Sequence, residues 1–148
     1  MNPAPWRSAL ALALLAGLPA SCAPAPGAAA SPAASKPAAF EIVASKRAFD
    51  PPTLTLRLGE PVTLVVRNED EDLHAFVPLL LFVRTNVQIA GNGAPEFNET
   101  GFARALIPPH GRIELRFTPK TAGTFSYLCD LPGHLMRGEI VVREAAAP

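Results

Sequence analysis

The stretch "YLCDLPGHLMRG", residues 127–138, places a cysteine, a histidine and a methionine within eight positions of one another. It lies between two runs that read as β-strands, "TFSYLC" and "GEIVV". Cys129 ends the first run, and His134 follows across "DLPG", where a Pro-Gly pair compels a tight reversal. Side chains on either side of such a reversal converge. Singly, each residue has an ordinary explanation, since a lone cysteine is usually a small buried hydrophobe and a methionine fills cores. Jointly, they put a thiol, an imidazole and a thioether on one strand-turn-strand unit.

Outward from this unit the chain keeps the same texture. From Phe40 the sequence breaks into short β-type runs, "FEIVAS", "TLTLRL", "PVTLVVRN", "LHAFVPLLLFV" and "RIELRF", before the two already named. Thr53, Leu54, Thr55, Leu56, Arg57 and Leu58 alternate with period 2, which places the leucines on one face of a sheet. Turn signals such as "RLGEP", "NEDED", "PPHG" and "TPKTAG" separate the runs, and none carries a capped helical period. Seven or eight strands in roughly 105 residues predict an all-β domain, a β-sandwich or Greek-key barrel. The segment 79–106 fits less easily: it becomes polar and glycine-rich around "AGNGAPEFNETG", as a binding loop, a lid or an added element does.

The chain has 148 residues, a length that fits one ordinary domain. Its Lys+Arg and Asp+Glu counts are both 13, so no basic excess points to nucleic acid. "MNPAPWRSALALALLAGLPASC", residues 1–22, has the layout of a secretory signal: Arg7, an apolar run from Ala9 to Leu18, and small residues before Cys22. Leu18 to Cys22 resemble a bacterial lipobox, whose cysteine is lipidated, with Pro19 standing where that pattern prefers an aliphatic residue; ordinary secretory cleavage is the alternative. Residues 23–39 are Ala, Pro, Ser and Gly with a single Lys36, the composition of a disordered linker. The domain itself is expected over 40–148. Cys22 falls outside it, which leaves Cys129 as its single thiol, and an exported free thiol needs burial or a metal to protect it.

A third nitrogen or sulfur donor lies far back in the chain. His74 follows "NEDED" and opens the apolar run "AFVPLLLFV". Two imidazoles and a thiolate form the trigonal set of a copper site, completed by a weak thioether, for which Met136 is available once the initiator is removed. Zinc accepts the same Cys and His donors, but a nearby methionine favours copper. His110, at the turn tip "IPPHGR", has no soft neighbour and reads as an exposed histidine.

The segment "IPPHGRIELRFTPKTAGTFSYLCDLPGHLMRGEIVV" resembles the C-terminal half of a cupredoxin, the blue (type 1) copper fold of plastocyanin and azurin. The resemblance runs from Phe40 to Arg143. It implies an eight-stranded Greek-key β-sandwich holding one copper ion, with His74 and His134 as imidazole ligands, Cys129 as thiolate and Met136 as axial thioether. Two departures stand out. Only Leu135 separates His134 from Met136, fewer residues than the family usually has, so the axial thioether competes with a three-coordinate site capped by water or a carbonyl. Ala75 occupies a position where many members carry Asn.

The resemblance implies an electron carrier outside the cytoplasmic membrane, not an enzyme, exchanging electrons through the His134 edge with partners such as cytochromes or oxidases. Phe76, Leu131 and Leu135 are expected to exclude water and frame that edge. The alternative is a periplasmic copper-binding or delivery protein that passes its metal to an acceptor. Membrane attachment would come through lipidated Cys22. A third reading, Cys129 and His134 as nucleophile and base of a hydrolase, lacks any oxyanion motif.

Overall fold

The computed structural model describes residues 36–144, so the leader, Cys22 and most of the linker expected from the sequence lie outside the described residues. Eleven strands form two sheets: β1 (Ala38–Ser45), β2 (Ala48–Asp50), β3 (Thr53–Arg57), β4 (Val62–Asn68), β5 (His74–Pro78), β6 (Gln88–Gly91), β7 (Ala94–Asn98), β8 (Gly101–Ile107), β9 (Arg112–Phe117), β10 (Gly123–Leu128) and β11 (Arg137–Arg143). One sheet runs β2-β1-β4-β9-β6 and the other β3-β11-β10-β5-β8-β7. β1 lies parallel to β4 and β3 parallel to β11, while the other pairings are antiparallel. The all-β sandwich expected from the alternation is therefore present. The additional strands are short: β2, β6 and β7 have three to five residues and lie where turn-forming and polar residues obscure a period.

Segment 79–106 contains no helix; it contributes β6 to the edge of the first sheet, then β7 and β8 to the second. Gly91 permits this crossing, since a Cβ there would meet the Arg112 carbonyl oxygen at 2.4 Å and its φ is +106°. A register shift between Glu96 and Phe97 lets β7 follow β8 to its end.

The core follows the period-2 pattern. Val62, Leu64 and Val66 of β4 point inward, against Ile113, Leu115 and Phe117 of β9 in the same sheet and Leu54, Leu56, Ile140 and Val142 from the other. Each fully buried aliphatic side chain contributes about 1.5–3 kcal/mol relative to its exposed state. Tyr127 is fully buried between Phe49 and Phe76, with ring centroids at 5.0 and 5.4 Å, and its hydroxyl donates to the Pro51 carbonyl at 2.9 Å. Opposite it on β11, Gly138 leaves room for the ring: a Cβ there would lie 2.3 Å from the phenol carbon. Two residues beyond Tyr127, the chain leaves the strand at Cys129. The packing of β10 on β11 thus sets where the first donor emerges.

Candidate metal centre

The donors meet at one end of the sandwich, where β4 and β10 end and β5 begins. The inward alternation of β4 ends on a polar residue, Asn68, 1% exposed. Its Nδ2 contacts the carbonyls of Asp72, Ile107 and Pro108 at 2.8, 3.1 and 3.0 Å, and its Oδ1 accepts the Asp70 N–H at 2.9 Å. The turn "NEDED" is thereby pinned to the end of β8. His74 emerges from it as the first residue of β5, fully buried and paired with Ile107.

The second arm is the 129–136 loop. The Cys129 N–H donates to the Met136 carbonyl at 3.1 Å and closes the loop at its base, and the His134 N–H donates to the Leu131 carbonyl at 3.1 Å across Pro132-Gly133. Gly133 takes the left-handed conformation that reverses the chain, φ +79°. Asp130 is drawn outward by Arg104, whose Nη1 donates to its Oδ2 at 2.7 Å while Nε donates to Glu96 Oε2 at 2.8 Å. These contacts, Glu96 first, raise the Arg104 pKa, and Arg104 lowers that of Glu96.

His74 Nδ1 lies 3.2 Å from His134 Nδ1, which in turn lies 3.3 Å from Cys129 Sγ. One donor atom from each of the three residues falls within 4.8 Å of the others, so they are positioned to hold one metal ion. Bonds of about 2.0–2.3 Å to a central ion would place trigonal donors some 3.6 Å apart, so the set fits with little movement. Cys129 is 4% exposed and its sulfur accepts the Ala75 N–H at 3.3 Å. The backbone of Ala75 thus makes a tie at the sulfur that needs no asparagine side chain. His134 is partly exposed and Leu135 is 87% exposed.

Behind His74, its Nε2 lies 2.9 Å from Asp70 Oδ2. The Asp70 carboxyl is pushed down to about 2, chiefly by the Arg47 backbone N–H, with His74 and the Lys46 N–H adding to it. Neither Asn68 nor Asp70 was expected from the sequence. A polar residue at an inward position of β4, and a carboxylate four residues before His74, were the available signals.

Met136 is buried at 2% exposure within the core cluster. Phe76 departs from expectation: it is fully buried against Tyr127 rather than framing the His134 edge, because it points into the sandwich from β5. Leu131 is partly buried against the core. His110 is exposed, as expected, and its Nε2 lies 2.9 Å from Glu71 Oε1.

A profile of the cupredoxin-like domain matches residues 9–142. The copper-resistant cuproprotein CopI of Rubrivivax gelatinosus is 31% identical over 112 residues, covering 69% of this chain and 64% of its own length, slightly under two thirds. Auracyanin-A of Chloroflexus aurantiacus is 30% identical over 112 residues, covering 64% of this chain and 67% of its own length. The solved structure of auracyanin A, described as a "blue" copper protein from that bacterium, superposes with a TM-score of 0.55 at 24% identity, over 73% of this chain and all of that one. With the profile spanning most of its length and the sandwich, the ligand loop and the donor geometry in place, the chain belongs to the cupredoxin-like family.

Proposed function

We propose that the protein binds one copper ion through His74, Cys129 and His134, with Met136 as axial thioether, and serves as a one-electron carrier. The observation that carries this reading is the convergence of two imidazoles and a buried thiol within 4.8 Å. A thiol-imidazole pair alone would also fit a nucleophile and its base. The third donor, His74, and the 4% exposure of Cys129 favour a metal over an attacked substrate.

A bound copper ion would supply the Cu(I)/Cu(II) couple. The chain's own part is to hold the donors still and to control access. His74 and Cys129 are fixed by strand and backbone contacts, which limits rearrangement between charge states. His134 is the donor that reaches the surface, and with exposed Leu135 beside it in the loop it offers a contact for a redox partner such as a cytochrome or oxidase. On this reading the leader expected from the sequence would direct the domain outside the cytoplasmic membrane, and lipidated Cys22 would tether it there.

The likeness to a copper-resistant cuproprotein favours a second reading, in which the same donors sequester or pass on copper without a redox partner. Metal analysis, visible absorption and voltammetry of residues 36–148 separate the two. A carrier shows strong thiolate-to-copper absorption and a reversible couple. A delivery protein holds colourless Cu(I) and loses it to an acceptor. Cys129→Ser is expected to weaken copper binding more than about 100-fold, since even supporting partners cost 10- to 100-fold; undiminished binding would sink both readings. Met136→Leu tests the axial assignment by its effect on the spectrum.

A further inference from the structure

His74 has both ring nitrogens engaged, one toward the metal donors and one away from them. Its Nδ1 faces His134 at 3.2 Å and its Nε2 faces Asp70 at 2.9 Å. The carboxylate is itself held from outside the site. Asp70 Oδ1 accepts the Lys46 N–H at 2.7 Å and Oδ2 accepts the Arg47 N–H at 3.0 Å. These successive amides form the tip of the β1–β2 hairpin, where Lys46 and Arg47 have φ of 53° and 55°. The left-handed pair directs both N–H groups onto one carboxylate. The Arg47 guanidinium also donates to Asp72 Oδ2, from Nε at 3.2 Å and Nη2 at 2.8 Å, which fastens the hairpin to the same loop.

A carboxylate that already accepts two backbone N–H groups faces the imidazole as an acceptor. The proton of neutral His74 then belongs on Nε2, and the lone pair on Nδ1 faces Cys129 and His134. We infer that Asp70, gripped by the β1–β2 turn, is a positioning residue for the metal centre: it fixes His74 as the Nε2–H tautomer, presents Nδ1 to the ion, and favours the oxidised over the reduced ion. The last part rests on the copper reading. A full negative charge behind a ligand stabilises a dication more than a monocation, and partial burial preserves that difference: Asp70 is 19% exposed and His74 fully buried. An ordinary structural ion pair would hold the loop without setting the tautomer or the potential.

The test combines nitrogen-resolved NMR of the metal-free protein with Cu(I) and Cu(II) affinities and the reduction potential. In the wild-type protein the His74 proton is expected on Nε2. Asp70→Asn, which keeps one acceptor oxygen but removes the charge, is expected to weaken that preference, to weaken Cu(II) binding by roughly 10- to 100-fold with a smaller loss for Cu(I), and to raise the potential. Glu71→Gln removes a carboxylate from the same loop that contacts His110 instead, and should leave tautomer and potential unchanged. A wild-type His74 protonated on Nδ1 overturns the assignment without any variant. So does a folded Asp70→Asn that keeps the wild-type potential and ratio of affinities, or a Glu71→Gln that shifts the potential as far. If the protein binds no copper while His74 stays protonated on Nε2, the copper reading and the redox part of the inference fail together, and the tautomer assignment to Asp70 stands.

Discussion

His74 and His134 offer the same atom to the same point, but they are held by different means. His74 starts a strand, is fully buried, and is backed by a carboxylate that two amides of a distant hairpin grip. His134 sits on an eight-residue loop closed by two backbone hydrogen bonds and is partly open to solvent. The first is placed by the whole sandwich, and the second by a short piece of local chain. A site built in this way has one fixed side, which sets geometry, and one side open to solvent.

The largest test of that asymmetry removes each imidazole in turn. His74→Gly and His134→Gly should each weaken copper binding by on the order of 100-fold. Added free imidazole should restore the visible spectrum of His134→Gly, whose gap opens to solvent, and leave His74→Gly unrestored; equal rescue would erase the distinction. Asn68→Ala, which leaves the Ile107 and Pro108 carbonyls without their buried partner, should cost about 1–3 kcal/mol of stability in denaturant unfolding, and should shift the His74 side of the site rather than the His134 loop.

A smaller, pH-dependent effect concerns Tyr127, on the strand that delivers Cys129. Burial first, and the Asp50 charge second, push its phenol up to about 12. Below about pH 10 the phenol is neutral in both folded and unfolded chains, so its environment costs nothing. Between about 10 and 12 the unfolded chain releases the proton while the folded one keeps it, so stability falls over that window. As the chain's single tyrosine, Tyr127 can be followed without ambiguity by tyrosinate absorbance. The smallest effect belongs to Leu135→Ser: at 87% exposure it should alter stability by less than about 0.5 kcal/mol, with any change confined to exchange with partners.

The parts of the molecule legible in the sequence were those governed by period and by local spacing. Leu54 and Leu56 on one face of β3, and Cys129 and His134 across Pro132-Gly133, could be placed from the chain itself. What escaped depended on contacts between distant segments. Nothing near Asp70 reveals that the amides of Lys46 and Arg47 lie against it, 24 and 23 positions away. Likewise the short strands β6 and β7 exist because β9 and β8 offer edges to pair with, not because their own residues favour extension. Phe76 was misplaced for a related reason: β5 is covered on both faces at its start, so alternation there no longer marks an outside.

The parallel pairing of β11 with β3 bears on when this site can exist during synthesis. Ile140 must find Leu54, and Val142 must find Leu56, across most of the domain. Contacts so distant in sequence make folding slow and place the closing step late. As the chain grows from its N-terminus, the hairpin that grips Asp70 and then His74 are made well before Cys129 and His134 exist. Until then the growing chain has His74 without Cys129 and His134, so the three donors come together only as β11 completes the second sheet.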